Sequence, residues 1–95
     1  MAFVYILESL KDGRLYTGST IDLARRLKQH RAGKVKATKS RLAMRLVYFE
    51  EMASTWLARE REIYLKTPEG GALKKKLIRN FLALHPDPEK LLHKK

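Results

Sequence analysis

Apolar residues recur along this chain in two rhythms, and the change of rhythm marks the elements. Phe3-Val4-Tyr5-Ile6-Leu7 is an unbroken β-branched and aromatic run, and Arg14-Leu15-Tyr16-Thr17-Gly18-Ser19 is a shorter candidate strand, with Lys11-Asp12-Gly13 between them. Asp-Gly between two such runs is a strong hairpin signal. With Asp12 and Gly13 as the turn, Tyr5 faces Thr20, Leu7 faces Gly18 and Ser9 faces Tyr16. Tyr5, Tyr16 and Gly18 then share one face of the sheet. From Ile21 to about Ala32 the spacing turns helical, with Ser19 or Thr20 as N-cap, Asp22 in the first turn and Gly33 as the stop. Ile21, Leu23 and Leu27 mark the apolar side of that helix.

Lys34 to Arg41 is a basic connector, and Met44 to Phe49 is a third strand. Ser54 or Thr55 can cap a helix running to about Lys66, and Thr67 can cap another that begins with Pro68. Leu73, Leu77, Phe81 and Leu84 stripe this last helix, with Lys74, Lys75, Lys76 and Arg79 largely outside the stripe. His85-Pro86-Asp87-Pro88 ends it and leaves a basic tail over residues 85–95. The order β-β-α-β-α-α predicts an α/β protein of the α+β type, a small three-stranded antiparallel sheet flanked by helices, in one domain over residues 1–84.

Composition narrows what such a domain can do. No apolar run approaches the roughly 20 residues that cross a bilayer, and Met1-Ala2-Phe3-Val4-Tyr5 lacks the basic start of a signal peptide, so the expected location is the cytoplasm with no membrane partner. The chain has no cysteine, which excludes disulfide scaffolds, thiolate zinc sites and cysteine nucleophiles together. Its 21 Lys and Arg against 10 Asp and Glu give a net charge of +11, which makes a polyanion the natural partner. The basic residues lie on both sides of Glu50 to Leu65, the one locally acidic stretch.

Candidate chemistry begins in that stretch. On a helix Glu60 lies within about 60° of Trp56, Leu57, Ile63 and Tyr64, which puts a carboxylate in the middle of an apolar stripe while Glu62 points the other way. A buried carboxylate needs a partner: a salt bridge, water at the core edge, or a metal. Arg26 and His30 stack four apart on one helix face, with Arg26 at the border of the apolar side, where a guanidinium can clamp a phosphate. Taken singly, both fit ordinary surface residues, and Tyr5 and Tyr16 fit packing tyrosines. Gly18 inside a strand costs stability there and marks a close approach.

Taken in order, Val4-Tyr5, then Tyr16-Thr17-Gly18, then Arg26 and His30 on one helix and a glutamate on a later one resemble the GIY-YIG nuclease superfamily, which includes homing endonuclease domains and the incision domain of bacterial excision repair. The likeness is to its small single-domain bacterial members of unassigned role, and it extends over roughly residues 3–80. The first motif falls on Phe3-Val4-Tyr5, with Phe3 for the leading glycine, and the second on Tyr16-Thr17-Gly18, with Thr17 for the usual isoleucine. The essential arginine corresponds to Arg26, the frequent histidine to His30 and the metal-binding glutamate to Glu60. Small members often carry an apolar residue and then lysine after that glutamate, whereas here Ile63 is followed by Tyr64 and Lys66 comes later. Some members also use an asparagine, which has no counterpart at a matching spacing; Asn80 is available.

The resemblance implies an endonuclease that hydrolyses phosphodiesters with one divalent ion, Mg²⁺ or Mn²⁺, on DNA ahead of RNA. Glu60 would hold the ion, Arg26 would meet the charge built up on phosphorus, Tyr5 or Tyr16 would serve as base or orient the water, and His30 could relay the proton. Lys34, Lys36, Lys39 and Arg41, and Lys74, Lys75 and Lys76 on the last helix, are candidates for phosphate-backbone contacts that carry no sequence information. No extra targeting domain accompanies these elements, so selectivity would come from substrate structure, a partner protein or a homodimer. A nucleic-acid-binding module that keeps the fold and cuts nothing is the main alternative. A structural basic protein of the ribosome, with Glu60 salt-bridged, is a third.

Overall fold

A strand that is apolar at every position has to be covered on both sides, and Phe3-Val4-Tyr5-Ile6-Leu7 is. In the computed structural model, which describes residues 1–92, it belongs to β1 (Ala2–Ser9), the middle strand of a three-stranded sheet ordered β2-β1-β3, with β2 at Leu15–Thr20 and β3 at Met44–Met52. Both pairings are antiparallel, and a bulge between Ile6 and Leu7 shifts the register against β3. The helices are α1 (Leu23–Arg31), the single turn α2 (Lys36–Lys39), α3 (Thr55–Leu65) and α4 (Pro68–Leu84). The expected fold class and element order stand, with α2 added inside the basic connector.

Side chains of β1 divide by parity between two cores. Tyr5 and Leu7 pack with Leu23 and Leu27 of α1 and with Met44 and Leu46 of β3. On the other face Ala2 and Val4 meet Ala58 and Leu65 of α3, while Ile6 packs with Val47, Leu77 and Phe81. Each fully buried aliphatic side chain contributes about 1.5–3 kcal/mol, so this central strand is the main anchor of the molecule. Gly70 permits the tight turn from α3 to α4: a Cβ there would stand 1.9 Å from the carbonyl oxygen of Tyr64.

The hairpin differs from expectation by two residues. Tyr5 pairs with Gly18 and Leu7 with Tyr16, because the loop holds four residues, closed by Ser9 N–H donating to the Arg14 carbonyl at 2.9 Å, with Gly13 at φ 74°. A shift of two preserves side-chain parity, so Tyr5, Tyr16 and Gly18 still share a face. Helix α1 starts later than expected. Its N-cap is Asp22, whose side chain accepts from the Arg25 N–H, and Ile21 lies outside it at 69% exposure. Ser54 and Thr67 cap α3 and α4, the latter with Pro68 in its first turn. Leu84 leaves the predicted stripe for solvent, and Ile78 and Leu82 pack instead. Within the basic tail, Pro88–Leu92 forms a 3-10 turn whose Leu92 rests on the α1-side core and whose Glu89 pairs with Arg31. The last three residues of that tail lie outside the described residues. No helix among the described residues is long and apolar enough to cross a membrane.

Candidate active site

Helix α1 brings Arg26 and His30 to the face of the sheet that carries the two tyrosines. His30 is wholly buried, contrary to the surface placement that spacing alone suggests. Its Nε2 lies 2.9 Å from the Tyr5 hydroxyl and its Nδ1 2.7 Å from Thr38 Oγ1 of α2. Arg26 Nε donates to that same Tyr5 hydroxyl at 3.4 Å. Thr38 Oγ1 donates to the Val35 carbonyl at 3.5 Å and so accepts from His30 Nδ1–H. A neutral ring protonated there leaves Nε2 as the acceptor, and the Tyr5 hydroxyl, which accepts from Arg26, donates to it. One polarity therefore runs through the whole chain of hydrogen bonds, from Arg26 through Tyr5, His30 and Thr38 to the backbone.

The ring of Tyr16 packs edge-on against His30 at 5.1 Å between centroids and lies 6.2 Å from that of Tyr5. Gly18 is a glycine because of this cluster: a Cβ would come within 2.6 Å of the Tyr5 hydroxyl and 3.1 Å of Tyr16 Cε2. Replacing Gly18 by alanine should displace the phenol from His30. The measurement is the imidazole chemical shift of His30 alongside thermal melting; an unchanged shift in a folded variant would show that the phenol tolerates a Cβ there.

Burial sets the protonation states. It pushes Tyr5 up to about 12, against the pull of the Arg26 hydrogen bond, so the phenol is protonated at neutral pH. Burial, followed by the Arg26 charge, pushes His30 down from 6.5 to about 4, so the imidazole is neutral. Because the folded pKa lies below the unfolded one, the unfolded chain gains a proton between about pH 6.5 and 4 that the folded chain refuses, and stability falls as pH falls through that window. Denaturant unfolding at pH 5 should give about 2 kcal/mol less stability than at pH 7.5, and His30→Gln should flatten the slope. The groups facing His30 are Tyr5, Tyr16, Arg26 and Thr38; an unchanged slope in His30→Gln would refute the assignment.

Arg26 is half-buried, and its Nη1 donates to Gln29 Oε1 at 3.0 Å. It makes no ion pair among the described residues. It lines a cleft of about 330 Å³ with Ser19, Thr20, Ile21, Asp22, Arg25 and Gln29. The Tyr5 bond holds its pKa above the ordinary guanidinium value, so it remains charged. An unpaired, oriented cation in a polar cleft is an anion site.

Glu60 does not join this cluster. The stripe that seemed to enclose it faces solvent: Trp56 is 68% exposed and Ile63 53%, and Glu60 itself is exposed. Helix α3 packs instead through Ala58, Glu62 and Leu65, with Ala58 and Leu65 against Ala2 and Val4 of β1. Glu62 is the buried carboxylate, 5% exposed. Its Oε1 accepts from Ser19 Oγ at 2.7 Å and from Arg59 at 3.5 Å, and its Oε2 from Lys66 Nζ at 2.7 Å. Burial opposes its charge, yet Lys66, Ser19 and Arg59 together hold its pKa below the usual carboxylate range. Tyr5 and Glu62 flank the same stretch of edge strand β2 from opposite faces, the phenol against Gly18 and the carboxylate on Ser19.

Other residues of the sequence reading are spread more widely. Lys34, Lys36, Lys39, Lys75 and Lys76 are exposed and Arg41 is half-buried. Lys74 is turned inward, donating to Thr17 Oγ1 at 3.0 Å, and burial, then the Lys66 charge, lowers its pKa, so it is no free phosphate contact. Sequence reasoning missed Gln29, Thr38 and Glu62. Gln29 carries a signal, three residues after Arg26 on the same helix, and Glu62 carries one in the apolar-then-lysine pattern, met by Leu65 and Lys66 as it is not by Ile63 and Tyr64. Thr38, in an unpatterned connector, carries none.

The GIY-YIG catalytic domain family model matches residues 1–77. Among curated proteins, the chain is 47% identical over 66 residues to a UPF0213 protein of Streptococcus sanguinis, covering 68% of this chain and 75% of the relative. It is 44% identical over 70 residues to a UPF0213 protein of Haloquadratum walsbyi, covering 70% and 78%, and 45% identical over 67 residues to one of Clostridium perfringens, covering 70% and 71%. No solved structure gives a significant match. With the paired tyrosines, the helical arginine and the buried histidine in one contact cluster and the family model spanning the sheet and three helices, this chain belongs to the GIY-YIG catalytic domain family.

Proposed function

We propose that this chain hydrolyses nucleic-acid phosphodiesters internally, with one divalent ion, Mg²⁺ or Mn²⁺, and with DNA ahead of RNA as substrate. The observation that carries the proposal is Arg26: a half-buried guanidinium with no carboxylate partner among the described residues, aimed by Tyr5 and Gln29 at a cleft in a protein of net charge +11. Such a group binds a phosphate and strengthens its hold as charge accumulates on the equatorial oxygens. Tyr5, protonated and donating to His30, suits holding Arg26 and receiving a proton relay better than abstracting one unaided. Tyr16, half-exposed beside the pair, is the phenol that can meet a water.

The donor chemistry fits a single ion held at Glu62 in place of Glu60. Magnesium takes one or two protein carboxylates and keeps most of its waters, and Glu62 is a hard oxygen donor fixed through Ser19, which also lines the Arg26 cleft. No group of three or more His, Cys, Asp or Glu that could hold a metal occurs among the described residues, so few protein ligands would share it. When bound, such an ion supplies Lewis-acid polarisation of the phosphoryl oxygen and stabilisation of the leaving alkoxide. A module that binds without cutting is the second reading, favoured by one observation: Lys66 and Arg59 already neutralise Glu62. Metal-dependent incision of supercoiled plasmid, compared with a mobility shift at the same salt, separates the two; binding without incision under every divalent ion would select the module.

A further inference from the structure

Besides the Arg26 cleft there is a second and larger one, about 420 Å³, lined by Ala2, Ser19, Thr20, Ile21, Thr55, Trp56, Ala58 and Arg59. The two clefts share Ser19, Thr20 and Ile21 as a common wall, so the end of β2 is a low ridge between them. Their chemistry differs. One side of the ridge carries Arg25, Arg26 and Gln29; the other carries the 68%-exposed Trp56 and the 69%-exposed Ile21 in one lining. An exposed tryptophan and an isoleucine in one groove, with an arginine on the rim, form an aromatic platform that every base can stack on.

We propose that the Trp56–Ile21 groove takes an unpaired base of the same strand whose phosphate lies on Arg26, which makes single-stranded or locally unpaired nucleic acid the preferred substrate. The inference rests on the nuclease reading above and specifies its substrate. A base inside a duplex has both faces covered by its neighbours and cannot stack on an indole, so the groove discriminates by strand state and not by sequence. A nucleic-acid occupant is favoured over a protein by continuity with the phosphate cleft and by the positive rim, Arg25 on one side and Arg59 on the other. Trp56 makes no packing contribution to any of the buried clusters, so its removal leaves the fold intact.

Trp56 is the sole tryptophan, and its fluorescence therefore reports this groove alone. In chelator-containing buffer, where nothing is cut, a short oligothymidylate should quench the indole, and a hairpin duplex of equal charge should not. Trp56→Ala should lose roughly tenfold in affinity for the single strand, the usual cost of one stacked base, with duplex affinity unchanged and Trp56→Phe recovering most of the loss. Full single-strand affinity in Trp56→Ala would overturn the base groove and leave the nuclease reading standing. Quenching without any metal-dependent cleavage would sustain the groove and sink the nuclease reading. Concentration-dependent dimerisation without oligonucleotide, abolished by Trp56→Ala, would assign the groove to a second copy of the chain and overturn the proposal.

Discussion

Arg26→Ala should lower metal-dependent cleavage by about 10²–10³-fold, the cost of removing one charge-stabilising donor from a preorganised site, while the melting temperature stays within a few degrees of wild type. The small stability effect follows from the surroundings. Arg26 sits at the rim, bonded to a tyrosine hydroxyl and a glutamine side chain, and Tyr5 keeps its bond to His30 when the arginine is gone. Losing a nearby positive charge also removes one of the two causes that depress His30, so the imidazole should titrate at a higher pH in this variant. That shift, read by NMR, reports that the site is otherwise assembled. Arg26→Lys should rescue little, because an ammonium cannot reach the phenol and the phosphate in the guanidinium's fork geometry. A folded Arg26→Ala protein that cuts at the wild-type rate would remove the cation from the mechanism.

Glu62→Gln should abolish divalent-ion-dependent cleavage, whereas Glu60→Ala should leave it within about twofold, since exposed substitutions away from the cleft seldom matter. Glutamine preserves the acceptor for Ser19 and the volume beneath β2. The freed Lys66 is half-exposed and rehydrates at little cost, so the expected loss of stability is about 1 kcal/mol or less. Broadening of the Ser19 amide resonance by substoichiometric Mn²⁺, lost in Glu62→Gln and retained in Glu60→Ala, places the ion independently of turnover. The reverse pattern, with Glu60→Ala inactive and Glu62→Gln active, would return the metal to the outer face of α3.

What could be seen from the sequence alone depended on whether a residue's partners are close in the chain. The strands, the caps Ser54 and Thr67, the stop at Gly33 and the shared face of Tyr5, Tyr16 and Gly18 follow from local spacing. The face of α3 did not. Trp56, Leu57, Ile63 and Tyr64 are the larger apolar set on that helix, and hydrophobicity alone turns them inward. The tertiary contacts reverse the choice: β1 takes Ala58 and Leu65 against Ala2 and Val4, and β2 takes Glu62 through Ser19. The burial expected for Glu60 therefore failed at the choice of which face the helix buries. The burial of His30 was hidden for a related reason: its partner Thr38 lies across a loop whose composition announces nothing but charge.

In Tyr5 the molecule combines two duties usually kept apart. The ring is a wall of the hydrophobic interior on the central strand, and the hydroxyl is the hub of the polar chain. Enzymes that mount reactive groups on loops can let them wander without loosening the scaffold. Here any fluctuation that swings the phenol aside must also uncover the middle of the sheet, so the resting geometry borrows the stiffness of the most protected segment of the protein. Adaptation to a new target is thereby confined to the margins, to the ridge at Ser19–Ile21 and the basic connector, while the strand beneath them stays fixed.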